Sequence, residues 1–173
     1  MKFLKNYSDN IIKYDLINKF SYKRTIDIPK FEKIILSFSF KKYEFKSLIA
    51  ALIALELLTF QNPTITKSKV SNISLKVRKG HPIGCKLTLR KNFLFNFFFK
   101  LLNEFLLTNG KKVNVKKQKN KSFSFTVKNI LIFNELERNY RFFKNLSNLN
   151  ITFVTNSKNK NNLLFLLKSY KIF

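Results

Sequence analysis

The chain has 173 residues, of which 45% are hydrophobic and 21 are phenylalanine, so it has enough apolar material for a folded core and wholesale disorder is excluded. One cysteine and one histidine exclude an internal disulfide framework and a zinc site built from several cysteines. With 34 basic and 9 acidic residues the formal net charge is +25, which favours a polyanionic partner such as nucleic acid.

Hydrophobic periodicity predicts the elements of the chain, and the length favours a single domain over residues 1–173. Apolar residues from Phe3 to Ile17 recur at near-helical spacing and predict an amphipathic helix over 3–20. Helices and strands mix without a regular β-α-β rhythm, so the predicted class is α+β. The remaining predicted elements are a strand at 31–40, a helix at 44–60, an extended piece at 65–67, a polar loop at 68–73, strands at 74–79 and 83–91, a helix over 92–108, strands at 123–133 and 151–154, and a terminal helix that contains 163–170.

The charge is unevenly distributed along the chain. Residues 57–173 carry 23 basic and 3 acidic side chains, and no acid occurs between Glu56 and Glu104. A solvated surface ordinarily mixes both signs, whereas a long stretch of one sign is typical of a surface that binds phosphates. The stretch between these two glutamates is therefore the first candidate for contact with nucleic acid.

Two alternating strands in that stretch suggest an arrangement for phosphate binding. If they pair antiparallel with Lys76 opposite Lys86 and Arg78 opposite Gly84, one sheet face carries these three cations, with Arg90 nearby. Facing like charges destabilise a sheet on their own, so the arrangement makes sense when phosphates lie across it. The alternative is a solvated sheet face made rich in lysine by codon bias.

Catalysis is not indicated by the residues that could perform it. His81 lies beside Pro82 in a predicted turn, and Cys85 lies on the apolar side of its strand, where it is expected to pack as a small core residue. The close carboxylate pair Glu135 and Glu137 is expected to lie at the surface. Neither a glycine-rich phosphate loop nor a metal-ligand cluster is present, so no enzyme activity, metal or cofactor is expected.

Several segments resemble one protein family. Residues 82–90, Pro-Ile-Gly-Cys-Lys-Leu-Thr-Leu-Arg, differ by one conservative change from Pro-Ile-Gly-Cys-Lys-Val-Thr-Leu-Arg, which is a signature of the bacterial-type large-subunit ribosomal protein five family. The resemblance covers essentially the whole chain, although Phe60 replaces a family glycine and the lysine-dense segment 111–121 replaces two family loops. Further segments that resemble the family in the same order are 28–34, 60–69, 128–135 and 151–155.

This resemblance implies an α+β fold with an antiparallel sheet, helices packed on one side and an extended basic loop. It implies a structural constituent of the large ribosomal subunit that binds large-subunit rRNA, and 5S rRNA where that RNA exists, in the central protuberance beside neighbouring ribosomal proteins. The loop implied to face the peptidyl-site tRNA contains Lys67, Ser68, Lys69, Ser71 and Asn72. The rRNA-binding candidates, taken from family positions and from strand register, are Lys30, Lys33, Ser37, Gln61, Thr64, Thr66, Lys76, Arg78, Lys86, Thr88 and Arg90.

Location and rival functions complete the expectations. Abundant Lys, Asn, Phe and Ile indicate an A+T-rich genome, which favours a mitochondrial ribosome in the matrix, or alternatively a plastid or another A+T-rich bacterial-type system. The main rival is a cationic membrane-surface protein that uses an amphipathic helix at 93–107. The apolar runs are too short for membrane insertion. An RNA-modifying enzyme is the weakest rival, because it lacks acid–base and metal residues.

Overall fold

The computed structural model of the chain describes residues 3–40, 44–106, 116–118 and 121–170. Helices and one antiparallel sheet make up the fold, which confirms the predicted α+β class. The six strands follow the order β2-β3-β1-β6-β5-β4 across the sheet. The strands are β1 (Phe31–Ser39), β2 (Thr64–Lys67), β3 (Pro82–Leu89), β4 (Lys116–Gln118), β5 (Ser122–Val127) and β6 (Leu149–Thr155).

Seven α-helices are present in the described residues, together with short 3-10 and π segments. The α-helices are α1 (Phe3–Tyr7), α2 (Lys13–Lys19), α3 (Phe45–Thr59), α4 (Lys91–Lys100), α5 (Asn134–Glu137), α6 (Tyr140–Phe143) and α7 (Lys160–Ser169). The other helical segments are the π stretches Ser8–Ile12 and Leu101–Leu106 and the 3-10 turns Thr25–Asp27 and Ile130–Ile132.

The chain divides into two compact units. Unit 1 comprises Met1–Ile34, Leu89–Phe125 and Thr152–Phe173, and unit 2 comprises Ile35–Thr88 and Thr126–Ile151. Each unit is described below by itself.

The core of unit 1 is aromatic. Phe153 and Phe123 stack with ring centroids 4.7 Å apart and planes 8° from parallel, and Phe31 lies 5.4 Å from Phe153. Phe98 meets the ring of Tyr170 edge-on at 5.2 Å. Such aromatic pairs add to the large area that each ring buries. A large part of the chain's phenylalanine content is therefore core material.

The amino-terminal helix of unit 1 forms as predicted, but it buries a different face. The buried residues are Leu4, Ile12 and Leu16, whereas most of the predicted apolar face is exposed. These buried positions are separated by multiples of four residues, which drift around an ordinary α-helix. The π stretch between α1 and α2 widens one turn and keeps them aligned. The residues of the predicted face that the structure leaves exposed are Phe3, Ile11, Tyr14 and Ile17.

Helix α4 also belongs to unit 1, and it packs into the core. It begins at Lys91, one residue before the predicted cap Asn92, and the preceding Arg90 is extended and makes no side-chain capping bond. Its buried residues are Leu94, Phe97 and Phe98. The apolar face expected at a membrane surface by the rival hypothesis is thus largely occupied by the protein's own core. None of the helices in the described part of the chain has the length and apolarity that crossing a bilayer requires.

Unit 2 builds its core from helix α3 and one face of β1 and β3. Alternation along β1 buries Leu36 and Phe38, and alternation along β3 buries Cys85 and Leu87. Helix α3, which packs against α5 and α6, buries the side chains of Leu48, Ala51, Ala54, Leu55 and Leu58. The opposite face of these strands is left for polar residues.

The predicted strand at 74–79 is wrong. Asn72 and Val77 form an isolated antiparallel bridge around a tight turn, in which the backbone of Lys76 is left-handed with φ +53°. Strand β3 instead pairs antiparallel with β2, with Thr64 opposite Lys86. The predicted pairing of Lys76 with Lys86 and of Arg78 with Gly84 is therefore also wrong. The alternation that suggested a strand lies in a loop whose shape is set by local hydrogen bonds.

The predicted strand at 123–133 is too long. Strand β5 ends at Val127, and the side chain of Asn129 then accepts a hydrogen bond from the backbone N–H of Leu131 to start a 3-10 turn. Such side-chain caps compete with strand pairing. Most of the lysine-dense segment 111–121 lies outside the described residues. The described part includes β4, which pairs with β5.

Candidate nucleic-acid interface

Five of the predicted rRNA-binding residues share one sheet face in unit 2. Register places Thr64 opposite Lys86 and Thr66 opposite Gly84, so these residues lie on the same face of β2 and β3. Thr88 follows on that face of β3, and Ser37 lies on the face of β1 opposite the buried Leu36 and Phe38. We call this set the polar face: Ser37, Thr64, Thr66, Lys86 and Thr88.

The polar face depends on a close approach of backbones at Gly84. A Cβ built on Gly84 would clash with the carbonyl oxygen of Phe38 and would lie 3.1 Å from the hydroxyl oxygen of Thr66. Glycine therefore lets β1 lie tightly against β3 beside this face. The hydroxyl of Thr64 donates to the carbonyl oxygen of Lys86 at 3.1 Å, which ties the edge strand to its neighbour.

A hairpin loop, residues 68–81, extends from the ends of β2 and β3. Its base is closed by two backbone hydrogen bonds, from the Ser68 N–H to the His81 carbonyl at 2.8 Å and from the Gly80 N–H to the Ser68 carbonyl at 3.0 Å. The buried Ser68 also donates its hydroxyl to the carbonyl of Val70 at 2.6 Å. Ser68 thus holds the base of the loop in shape.

The tip of the hairpin loop is organised by Asn72. Reciprocal backbone bonds link Asn72 and Val77, and the Asn72 carboxamide oxygen accepts from the Ser74 hydroxyl at 2.6 Å. These bonds leave Ile73 95% exposed and Val70 74% exposed. An ordered loop that presents apolar side chains among cations is built to touch a partner, because isolated in water those side chains gain nothing.

Cations surround the polar face and the hairpin loop. None of them forms a salt bridge among the residues that the structure describes, where the pair Lys158 and Asp27 does so at 2.6 Å. Their charges therefore remain available to an external anion. The exposed cations of this group are Lys67, Lys69, Lys76, Arg78, Lys79 and Lys86.

The other predicted site residues have different settings. Gln61 is half-buried in the connection between α3 and β2, and Ser71 is exposed in the hairpin loop. Lys30, Lys33 and Arg90 belong to unit 1, where Lys30 and Arg90 are exposed and Lys33 is half-buried on β1. The structure thus gathers the predicted residues of unit 2 and describes these three separately.

Sequence reasoning misses three features of this region. The predicted set omits Lys79, although this residue lies in the stretch that has no acidic residue. The prediction of a merely polar loop also overlooks the exposed Val70 and Ile73. A signal is available for Lys79 in the charge pattern, but the exposure of the two apolar residues depends on the fold of the loop.

The chemistry of a catalytic centre is not found in this region. Burial raises the pKa of the Cys85 thiol to about 11, so the nucleophilic thiolate does not form at neutral pH. The described residues contain no group of three or more His, Cys, Asp or Glu side chains able to hold a metal ion.

Comparison with known proteins decides the family. The model of the C-terminus of the ribosomal protein uL5 family matches residues 82–173. The large ribosomal subunit protein uL5m of Reclinomonas americana is 35% identical over 99% of this chain and 97% of its own length. The chain belongs to the ribosomal protein uL5 family. As a member of this family it is a structural ribosomal protein, with rRNA and ribosomal proteins as partners, and not an enzyme.

Bacterial members of the uL5 family are similarly close. The large ribosomal subunit protein uL5 of Wigglesworthia glossinidia brevipalpis is 36% identical over 95% of this chain and 93% of its own length. That of Borrelia turicatae is 35% identical over 90% of this chain and 86% of its own length. The family resemblance stated from residues 82–90 is therefore confirmed over nearly the entire chain.

Proposed function

We propose that this chain is a constituent of the large ribosomal subunit that binds 5S rRNA and large-subunit rRNA in the central protuberance, with the hairpin loop directed toward the peptidyl-site tRNA. The observation that carries the proposal is the polar face, which joins hydroxyl groups to the exposed ammonium group of Lys86. Proteins position RNA mainly through such contacts to phosphates and 2′-hydroxyls.

The hairpin loop supports the tRNA part of the proposal. Hydrogen bonds fix both its base and its tip, so its exposed groups are held in place before a partner arrives. Lys67 and Lys69 supply charge for phosphates, and the exposed Ile73 supplies an apolar surface for a base or ribose. Ser71 and Asn72 are exposed between them. This combination suits a folded RNA that meets the subunit from outside.

A mitochondrial ribosome is the proposed location. The composition is that of an A+T-rich genome, and the relative from Reclinomonas americana carries the suffix of a mitochondrial protein in its name. Immunogold labelling or fractionation of the source cells tests this location, with a cytosolic ribosomal protein as the control. Detection of the chain only in cytosolic ribosomes would contradict it.

Charge reversal on the polar face and loop tests rRNA binding. The pair Lys76→Glu and Lys86→Glu should lose co-sedimentation with transcripts of the 5S and large-subunit rRNA from the same genome, because phosphates would face carboxylates. The matched control is Lys23→Glu with Lys160→Glu, which changes the net charge equally at exposed positions of unit 1. Equal behaviour of the two pairs would show that bulk charge, and not this surface, binds the RNA.

The tRNA contact needs its own experiment. Lys67→Ala with Lys69→Ala should keep the protein in the subunit while weakening its crosslink to a peptidyl-site tRNA that carries 4-thiouridine. Lys23→Ala with Lys160→Ala is the control. An undiminished crosslink in the loop variant would remove the hairpin loop from the tRNA contact and leave the rRNA proposal intact.

A further inference from the structure

A cleft in unit 2 has a chemistry unlike that of the cationic surface. It has an open volume of about 730 Å³, within the range of about 300–1,000 Å³ that is usual for ligand sites. Ser39 lies two residues beyond Ser37 on the same strand, so the cleft adjoins the polar face. We call it the asparagine cleft, and its walls include Ser39, Phe40, Thr126, Ser147, Asn148 and Asn150.

The asparagine cleft is unsuited to phosphate. Its described walls contain neither lysine nor arginine, although the chain carries 34 basic residues. The exposed carboxylate of Glu44 lines the cleft and repels anions. The remaining polar groups are hydroxyls and carboxamides, which both donate and accept hydrogen bonds. These are groups that recognise the edge of a neutral heterocycle.

Hydrogen-bonding capacity in the cleft is left unused. The buried hydroxyl oxygen of Ser147 has no hydrogen-bond partner among the described residues. The Thr126 hydroxyl donates to the carboxamide oxygen of Asn150 at 2.9 Å, which orients the amide nitrogen of Asn150 as a donor. Buried polar groups without partners are rare in native proteins and often mark the place of a ligand.

An aromatic ring completes the set. Phe40 is half-buried at the end of β1, and its backbone N–H donates to the carbonyl of Ile83 at 2.9 Å, so its backbone is fixed to β3. Proteins recognise unpaired RNA bases by stacking them on aromatic rings and by hydrogen-bonding their edges, with asparagine a favoured partner of adenine. A peptide would instead need apolar side-chain pockets or a free strand edge.

We propose that the asparagine cleft holds one unstacked base of ribosomal RNA, with Phe40 against the face of the base and Asn148 and Asn150 at its edge. The inference rests on the proposed function, because it takes ribosomal RNA as the partner. It adds a base-reading site to a surface that otherwise meets phosphates. Glu44 favours bases with an exocyclic amino group, which can donate a hydrogen bond to a carboxylate.

Footprinting of the full chain on large-subunit and 5S rRNA transcripts from the same genome tests the proposal. The variant Asn145→Ala with Asn148→Ala removes two exposed amides that line the cleft, and Asn18→Ala with Asn161→Ala removes two exposed amides from helices of unit 1. Dimethyl sulfate reports the base edges, and hydroxyl radicals report the sugar–phosphate backbone. Circular dichroism and thermal unfolding confirm that both variants fold.

The expected result is loss of protection at one unpaired adenine or cytosine in the cleft variant, with the backbone footprint retained. Affinity should fall roughly tenfold, and the slope of log K against log salt should stay unchanged, because no phosphate contact is lost. Base protections identical to those of the wild type would overturn the inference. Loss of a neighbouring ribosomal protein from assembled subunits, with all base protections kept, would assign the cleft to a protein and also overturn it. A wild-type chain without any footprint would instead refute the proposed function.

Discussion

Replacing Gly84 by alanine tests how β1 and β3 are held together beside the polar face. The new Cβ would clash with the carbonyl oxygen of Phe38, a backbone atom that cannot rotate away, whereas the hydroxyl of Thr66 can. Overpacking of this kind costs about 1–3 kcal/mol. For a chain of this size that cost lowers the melting temperature by about 2–12 °C. Urea unfolding and scanning calorimetry measure the two quantities.

The sign of the effect makes the Gly84 experiment decisive. Without a clash, a glycine-to-alanine change at a compatible backbone position stabilises a protein by about 0.4–1 kcal/mol. Adding Thr66→Ala should not rescue Gly84→Ala, because the Phe38 carbonyl remains. Gly80→Asn is the control: φ at Gly80 is +89° but no atom lies within 4 Å of its Cβ position, and asparagine tolerates left-handed backbone. A Gly84→Ala protein as stable as the wild type would refute the reasoning.

Three further changes have defined outcomes. Phe60→Gly should stabilise the chain by up to about 1 kcal/mol in urea unfolding, because Phe60 is 77% exposed and ends α3 in a left-handed conformation that glycine adopts freely; destabilisation would contradict this. Phe153→Ala should cost about 3–5 kcal/mol in the same assay, and a loss below about 1 kcal/mol would disprove its place in the aromatic core. The ammonium group of Lys158 holds the pKa of Asp27 below its ordinary value of 3.8, so the stability lost in Lys158→Ala should be present above that value and disappear as pH falls through the lowered pKa; a loss that is independent of pH would exclude the ion pair as its cause.

Periodicity predicts the elements whose burial is regular. The alternation in β1 and the Leu- and Ala-rich run of α3 are direct consequences of one buried face, and both elements lie where the pattern indicates. The segment 74–79 has the same alternation but lies in a turn. The side chain of Asn72 and the left-handed backbone of Lys76 set its shape, and no glycine in the sequence announces that conformation.

The candidate site is predictable to the extent that it follows a strand. Alternation within β3 places Lys86 and Thr88 on one face from sequence alone. The partner of β3 is not predictable in this way, because β2 has only four residues, Thr64–Lys67, and a competing pattern lies closer along the chain. The asparagine cleft is out of reach for a similar reason. Its walls come from positions as distant as Ser39 and Asn150, and only the folded sheet brings them together.

The salt dependence of rRNA binding tests the central claim most directly, namely that this surface neutralises phosphates. If the six exposed cations around the polar face and hairpin loop each meet one phosphate, log K should fall with log salt with a slope of about −4 to −5. Lys86→Gln should make the slope shallower by about 0.7–0.9, while Lys160→Gln should leave it unchanged. A slope near zero for the wild-type chain, or equal slopes for the wild type and both variants, would contradict the account.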